Sequence, residues 1–71
     1  MNWIKVDTSN IEKIAYKYNV GDLYIKCKNG TVGKFSHIGC FLFVQFICSD
    51  DLEKFLVKHI KFNFKYKKVL I

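Results

Sequence analysis

The dipeptide Asn29-Gly30 constrains this chain more than any other pair of residues. Both tolerate the positive φ that a tight reversal demands, and they separate two stretches of strand character, so the chain turns back here as a β-hairpin. The incoming stretch, Leu23-Tyr24-Ile25-Lys26-Cys27-Lys28, puts Leu23, Ile25 and Cys27 on one side and Tyr24, Lys26 and Lys28 on the other. The return stretch, residues 31–36, has two possible registers. With a loop of Asn29-Gly30 alone, Cys27 pairs with Val32 and Phe35 joins the face of Tyr24, Lys26 and Lys28. With a bulged three-residue loop, Phe35 swings to the side of Leu23, Ile25 and Cys27.

The hairpin needs partners, and the flanking segments supply them. Trp3-Ile4-Lys5-Val6 suits a short edge strand closed by Asp7-Thr8-Ser9-Asn10, whose side chains bond their own backbone in turns. Residues 11–18 fit two patterns: Ile11, Ile14, Ala15 and Tyr18 lie on one helical face, whereas Ile14, Tyr16 and Tyr18 suit a strand. Residues 38–48 are nearly all apolar, which fits a buried strand as well as a buried helix. Asp50 followed three positions later by Glu53 forms a capping box, and Leu52, Phe55, Leu56, His59 and Ile60 trace one helical stripe in which His59 is a partly buried core residue. Residues 61–68 alternate aromatic and polar side chains, so they read as a closing strand with Phe62, Phe64 and Tyr66 on one face.

Composition bounds what these elements can do. A chain of 71 residues with 51% hydrophobic and 17% aromatic content folds around one small core, forms a single domain over residues 1–71 and leaves no room for a two-domain enzyme. Cys27, Cys40 and Cys48 show no CxxC spacing, which argues for free thiols in a reducing compartment. Residues 1–7 carry no secretion-signal pattern, and the run 38–48 falls short of the ~20 residues that span a bilayer. The expectation is a soluble cytoplasmic protein with no membrane contact.

The order and spacing of these elements resemble the KTSC domain, a short module found at the C-terminus of some lysyl-tRNA synthetases and as free-standing small proteins. Val6-Asp7-Thr8-Ser9-Asn10-Ile11, then Ile14-Ala15-Tyr16, is similar to the family's opening V-x-S-S-x-I-x-x-I-G-Y. Leu23, Ile25 and Cys27 with Asn29-Gly30 resemble its L-x-V-x-F hairpin and glycine. Ile38 sits where the V-P pair begins a helix, and Phe43 where that helix carries a tyrosine. Phe55-Leu56, Ile60-Lys61, Phe64-Lys65-Tyr66 and Val69 fall on its Y-F, I-R, Y-P-Y and closing valine. Three positions depart: the central Y-x-Y is Gly33-Lys34-Phe35, the V-P proline is Gly39, and the glycine before the last helix is Glu53. The resemblance implies a strand within residues 11–18 and a helix at 38–48. The fold it implies is α+β: a small antiparallel sheet, comprising an N-terminal meander with the Asn29-Gly30 hairpin, packed against helices at about 38–48 and 50–61 and closed by a strand at about 62–69.

For function, charge is the first clue. The formal net charge is +6, with twelve lysines, no arginine and six acidic residues. Lys54, Lys58, Lys61, Lys65, Lys67 and Lys68 carry all of that excess, since residues 1–53 balance to zero. Such a block attracts polyanions, and lysines interleaved with aromatics let bases stack while phosphates are neutralised. The plainer readings are a solvated lysine face and, for Phe62 and Phe64, core packing. Tyr24 and Tyr66 are better placed for exposure, because their hydroxyls can stay wet.

The candidate nucleic-acid-binding set is therefore Tyr24, Lys26, Lys28, Lys34, Lys58, Lys61, Lys65, Tyr66, Lys67 and Lys68. His37 with Cys40 at a helix start is a weak candidate nucleophile, and Cys27, His37, Cys40 and Cys48 lack the paired spacing of structural zinc sites. No catalytic residue, metal or cofactor is assigned, because neither paired carboxylates nor a phosphate-cradling glycine loop is present. The preferred expectation is a non-catalytic module binding RNA or single-stranded DNA, supported by the family's link to a tRNA enzyme. The alternative is a phage or mobile-element protein that docks on and inhibits a nucleic-acid-processing host enzyme, such as a CRISPR effector. A domain this small and this aromatic is also a candidate homodimer.

Overall fold

The structure is a computed structural model and describes residues 2–69. Along the chain come β1 (Ile4–Lys5), β2 (Ile11–Lys17), β3 (Asp22–Cys27), β4 (Val32–Phe35), α1 (Cys40–Ile47), α2 (Leu52–Phe55), a π-helix (Leu56–Lys61) that continues α2, and β5 (Tyr66–Val69). The strands form one antiparallel sheet in the order β1-β2-β3-β4-β5, so β5 closes the meander beside β4. Among the described residues no helix is long and apolar enough to cross a membrane.

The hairpin takes the bulged register. Cys27 N–H donates to the Thr31 carbonyl at 2.8 Å and Gly30 N–H to the Cys27 carbonyl at 3.0 Å, which leaves Lys28-Asn29-Gly30 as the loop. Gly30 takes φ 93°, the left-handed conformation that favours glycine. Leu23 consequently pairs with Phe35 and Lys26 with Val32, and Phe35 is buried. β2 is a strand, with a bulge between Ile11 and Lys13.

Both helices pack on one face of the sheet. Ile11, Ile14, Leu23, Ile25 and Phe35 from the strands meet Ile38, Phe46 and Ile60, with Leu42, Phe43, Leu52, Phe55 and Leu56 sealing the edges. Burying side chains of this size contributes about 1.5–3 kcal/mol each before chain entropy is subtracted. Tyr16 stacks on Phe43 at 4.1 Å between ring centroids and donates its hydroxyl to the Ile38 carbonyl at 2.6 Å. Burial chiefly, and the Cys40 sulfur secondarily, raise the Tyr16 phenol above its ordinary pKa.

Five local expectations change. Helix α1 begins at Cys40 rather than at residue 38: Ile38 lies outside the helix and is buried, with its N–H donating to the Gly21 carbonyl at 2.8 Å. The second helix is capped by Asp51 rather than Asp50: the Asp51 Oδ1 accepts the Lys54 N–H at 3.1 Å. Glu53 does not close a capping box, because Asn10 offers it two donors, the backbone N–H at 2.7 Å and the side-chain amide at 2.9 Å. His59 is exposed beside Phe55, since the helix widens into the π-form after Phe55 and turns position 59 off the stripe while Ile60 is fully buried.

The last change concerns the closing strand, which starts at Tyr66 rather than at residue 62. The N–H groups of Asn63 and Phe64 both donate to the Ile60 carbonyl, at 3.1 and 3.2 Å, so residues 62–64 finish the helix instead of pairing. Phe62 is therefore 80% exposed, while Phe64 packs against the core.

Candidate nucleic-acid interface

Because successive strand residues point to opposite faces, the register that buries Leu23, Ile25 and Phe35 against the helices sends a second set to the other side. Cross-strand pairing lays these residues out in rows. Lys5, Lys13, Lys26, Val32 and Val69 form one row across the five strands, and Ala15, Tyr24, Lys34 and Lys67 form the next. Lys17 and Asp22 begin a third, which Lys65 reaches through Ser36, whose N–H donates to the Lys65 carbonyl at 3.0 Å.

Among the described residues no helix packs on this open face, yet Ala15 and Val32 are almost inaccessible, at 0% and 3% exposure, and neither belongs to the helix-side core. Across the strands Ala15 pairs with Tyr24, and Val32 with Lys26 on one side and Val69 on the other. The Lys17 Nζ rests 5.6 Å from the Tyr24 ring centroid, and the Lys13 Nζ 5.1 Å from that of Trp3.

Electrostatically the open face is positive. Lys5, Lys13, Lys17, Lys26, Lys34 and Lys67 share it with two carboxylates, Glu12 and Asp22. Lys26 lies 3.9 Å from Glu12 and Lys34 4.0 Å from Asp22, the loose end of ion pairing, worth little and readily exchanged for another anion. Tyr24, Lys34, Lys67, Lys68 and Val69 line a shallow hollow of about 360 Å³. Its chemistry is a phenol ring beside cross-strand ammonium groups: a flat surface for a ring and point charges for phosphates.

The ten residues singled out by sequence thus separate. Tyr24, Lys26, Lys34, Lys67 and, by register, Lys65 gather on the open face, and Lys68 lines the hollow at the sheet edge. Lys28 sits at the hairpin tip, 3.4 Å from Asp7. Lys58 lines a different hollow with Asp50 and Asp51, where the charges offset. Lys61 and Tyr66 lie on the helix side of the sheet.

Sequence reasoning passed over Lys5, Lys13 and Lys17. The signal was present: once residues 11–17 are a strand, the odd positions 13, 15 and 17 share the face of Tyr24 and Lys26. His37 and Cys40 are both exposed, His37 in a left-handed turn at φ 64° that leads from β4 toward α1, and all three cysteines are free thiols. Among the described residues no group of three His, Cys, Asp or Glu side chains converges on a metal-sized site.

Compared with solved structures, the chain superposes on the crystal structure of a KTSC domain protein from Yersinia pestis with a TM-score of 0.89, covering 97% of each chain at 20% sequence identity. The fold is that of a KTSC domain. No protein-family model and no curated protein matches the sequence. Each of the three departures from the KTSC pattern has a place in this fold. A Cβ at Gly33 would collide with the Tyr66 ring, which occupies that space. Gly39 is the extended N-cap of α1, with open space around it. Glu53 ties α2 to the turn before β2 through Asn10. Hydrogen bonds from the Thr8 hydroxyl, the Asn10 amide and the Asn10 backbone hold its carboxyl below the ordinary glutamate pKa.

Proposed function

We propose that this KTSC-fold chain is a non-catalytic binding module whose open sheet face takes a short stretch of RNA or single-stranded DNA. The row of Tyr24, Lys34 and Lys67 across β3, β4 and β5 carries the reading. A base stacking on Tyr24 takes the place of the Lys17 ammonium, and the displaced cation stays within reach of the same nucleotide's phosphate. Lys34 and Lys67, directly opposite each other, then neutralise the next phosphates. Sequence preference is weak in this reading, because stacking and charge contacts accept any base.

The test is a titration with short RNA and DNA oligonucleotides at several salt concentrations. Neutralising about three phosphates predicts log affinity falling against log salt with a slope of about −2. Absence of binding at low salt, or affinity unchanged by Lys34→Ala with Lys67→Ala, refutes the reading.

The second reading, a phage or mobile-element inhibitor of a nucleic-acid enzyme, draws on α1. That helix has no charged residue and exposes Phe41, Val44 and Ile47 at 79%, 49% and 41%, an apolar stripe suited to a protein partner. A host enzyme that stays bound to the chain after nuclease treatment, and is released by Phe41→Asp, favours this alternative.

A further inference from the structure

The helix side of the sheet contains a groove that the helices leave unfilled. Gly33 and Phe35 lie in its floor, Val57, Lys61 and Phe62 form one wall, and Tyr66 is the opposite lip, around a cavity of about 370 Å³. That volume is at the lower end of small-molecule sites, which run to roughly 300–1,000 Å³ and are mostly apolar with a few placed polar groups. The floor is kept low by Gly33, since any side chain there would contest the space of Tyr66.

Two further observations set this groove apart from a packing gap. Its mouth is ringed by apolar side chains left in water: Val57 is 48%, Phe62 80% and Tyr66 51% exposed. Its wall is the π-helix, a rare winding frequently found at functional sites, and that segment supplies both Val57 and Lys61.

Lys61 is the one charged side chain in the lining. Its Nζ lies 5.7 Å from the Phe62 ring centroid, at the apolar rim, where a cation seeks an anion. The lining has few polar side-chain groups beyond this ammonium, the Tyr66 hydroxyl and the Cys27 thiol, so it offers little to the hydrogen-bonding edge of a nucleobase. We infer that this groove binds a small amphipathic anion, a chain carboxylate whose tail lies along Phe35 and Tyr66 and whose head meets the Lys61 ammonium. The site is independent of the proposed nucleic-acid face, from which it is separated by the thickness of the sheet.

Calorimetric titration of the intact protein with decanoate, and with decyltrimethylammonium as the same tail bearing the opposite charge, tests the inference. Decanoate should bind saturably at one equivalent and roughly tenfold more tightly than the cation, and Lys61→Met should remove that preference. Val57→Trp should fill the groove and abolish decanoate binding. Phe62→Asp, at a largely exposed position, should do the same by opposing the head group, with the unfolding transition of each variant checked against the parent. Oligonucleotide affinity should be unchanged in both variants, which separates failure here from failure of the nucleic-acid reading. Absence of saturable decanoate binding, equal affinity for the two probes, or full decanoate affinity in a folded Val57→Trp protein overturns it.

Discussion

The two faces of the sheet come from the same strands, often from adjacent residues, and yet they are stabilised in different ways. On the helix side Leu23, Ile25 and Phe35 are held by Phe46 and Ile60, residues far away in sequence, and every one of them is nearly inaccessible. On the open side Ala15 and Val32 are just as inaccessible, but neither belongs to the helix-side core, and across the strands they pair with Tyr24, Lys26 and Val69. Burial on the first face is made by another layer of the fold; on the second, the rows around the buried pair are made of Tyr24 and lysines. The first is therefore a structural surface, whereas the second keeps a ring and several cations free to meet a ligand.

The largest test of that contrast removes a helix-side anchor. Phe46 is fully buried between the Phe43 and Phe55 rings, so Phe46→Ala should cost about 3–5 kcal/mol in urea denaturation, a large part of the total stability of a small domain. Lys34→Ala with Lys67→Ala should do the reverse, changing stability far less than Phe46→Ala does while lowering oligonucleotide affinity on the order of tenfold. Tyr24→Ala should cost about 1–3 kcal/mol of binding, and Tyr24→Phe should restore it, because stacking needs the ring and not the hydroxyl.

Smaller effects lie at the joints between the layers. Glu53 has a lowered pKa, so its contribution is fully present above the ordinary glutamate pKa and is lost as pH falls through the folded value. Glu53→Gln should therefore destabilise by about 0.5–1 kcal/mol at pH 7, and its thermal-melt midpoint should converge with the parent's in acid. His37 holds φ 64° with a side chain exposed to solvent, so His37→Gly should raise stability by about 0.5 kcal/mol and leave binding on both faces unchanged.

Local chemistry makes the hairpin legible in the residues themselves: Asn29-Gly30 dictates the reversal, and only the register depends on Lys28 joining them in a three-residue loop. Residues 11–17 and 40–47 are not legible from periodicity, because both are apolar enough to suit either geometry, and the KTSC resemblance resolves them correctly. The end of the second helix misleads for a physical reason. Alternation at Phe62, Phe64 and Tyr66 mimics a strand, but the Ile60 carbonyl recruits the N–H groups of Asn63 and Phe64 and holds the chain back from the sheet.

The candidate site is half legible. Tyr24, Lys26, Lys34 and Lys67 can be named from sequence, but a count of lysines along the chain cannot show that Lys58 sits among aspartates or that Lys61 belongs to the other side. The excess charge of the last 18 residues is thus divided among three surfaces, and the fold rather than sequence proximity decides which lysines lie together.

The central claim is that the open face, and not the charge block as a whole, is the nucleic-acid surface. Salt-dependent oligonucleotide titration of Lys34→Ala/Lys67→Ala against Lys58→Ala/Lys61→Ala tests it directly, because both pairs remove the same charge. The account predicts a loss on the order of tenfold and a shallower salt slope for the first pair, with nearly parental binding for the second. Equal losses from the two pairs would contradict it.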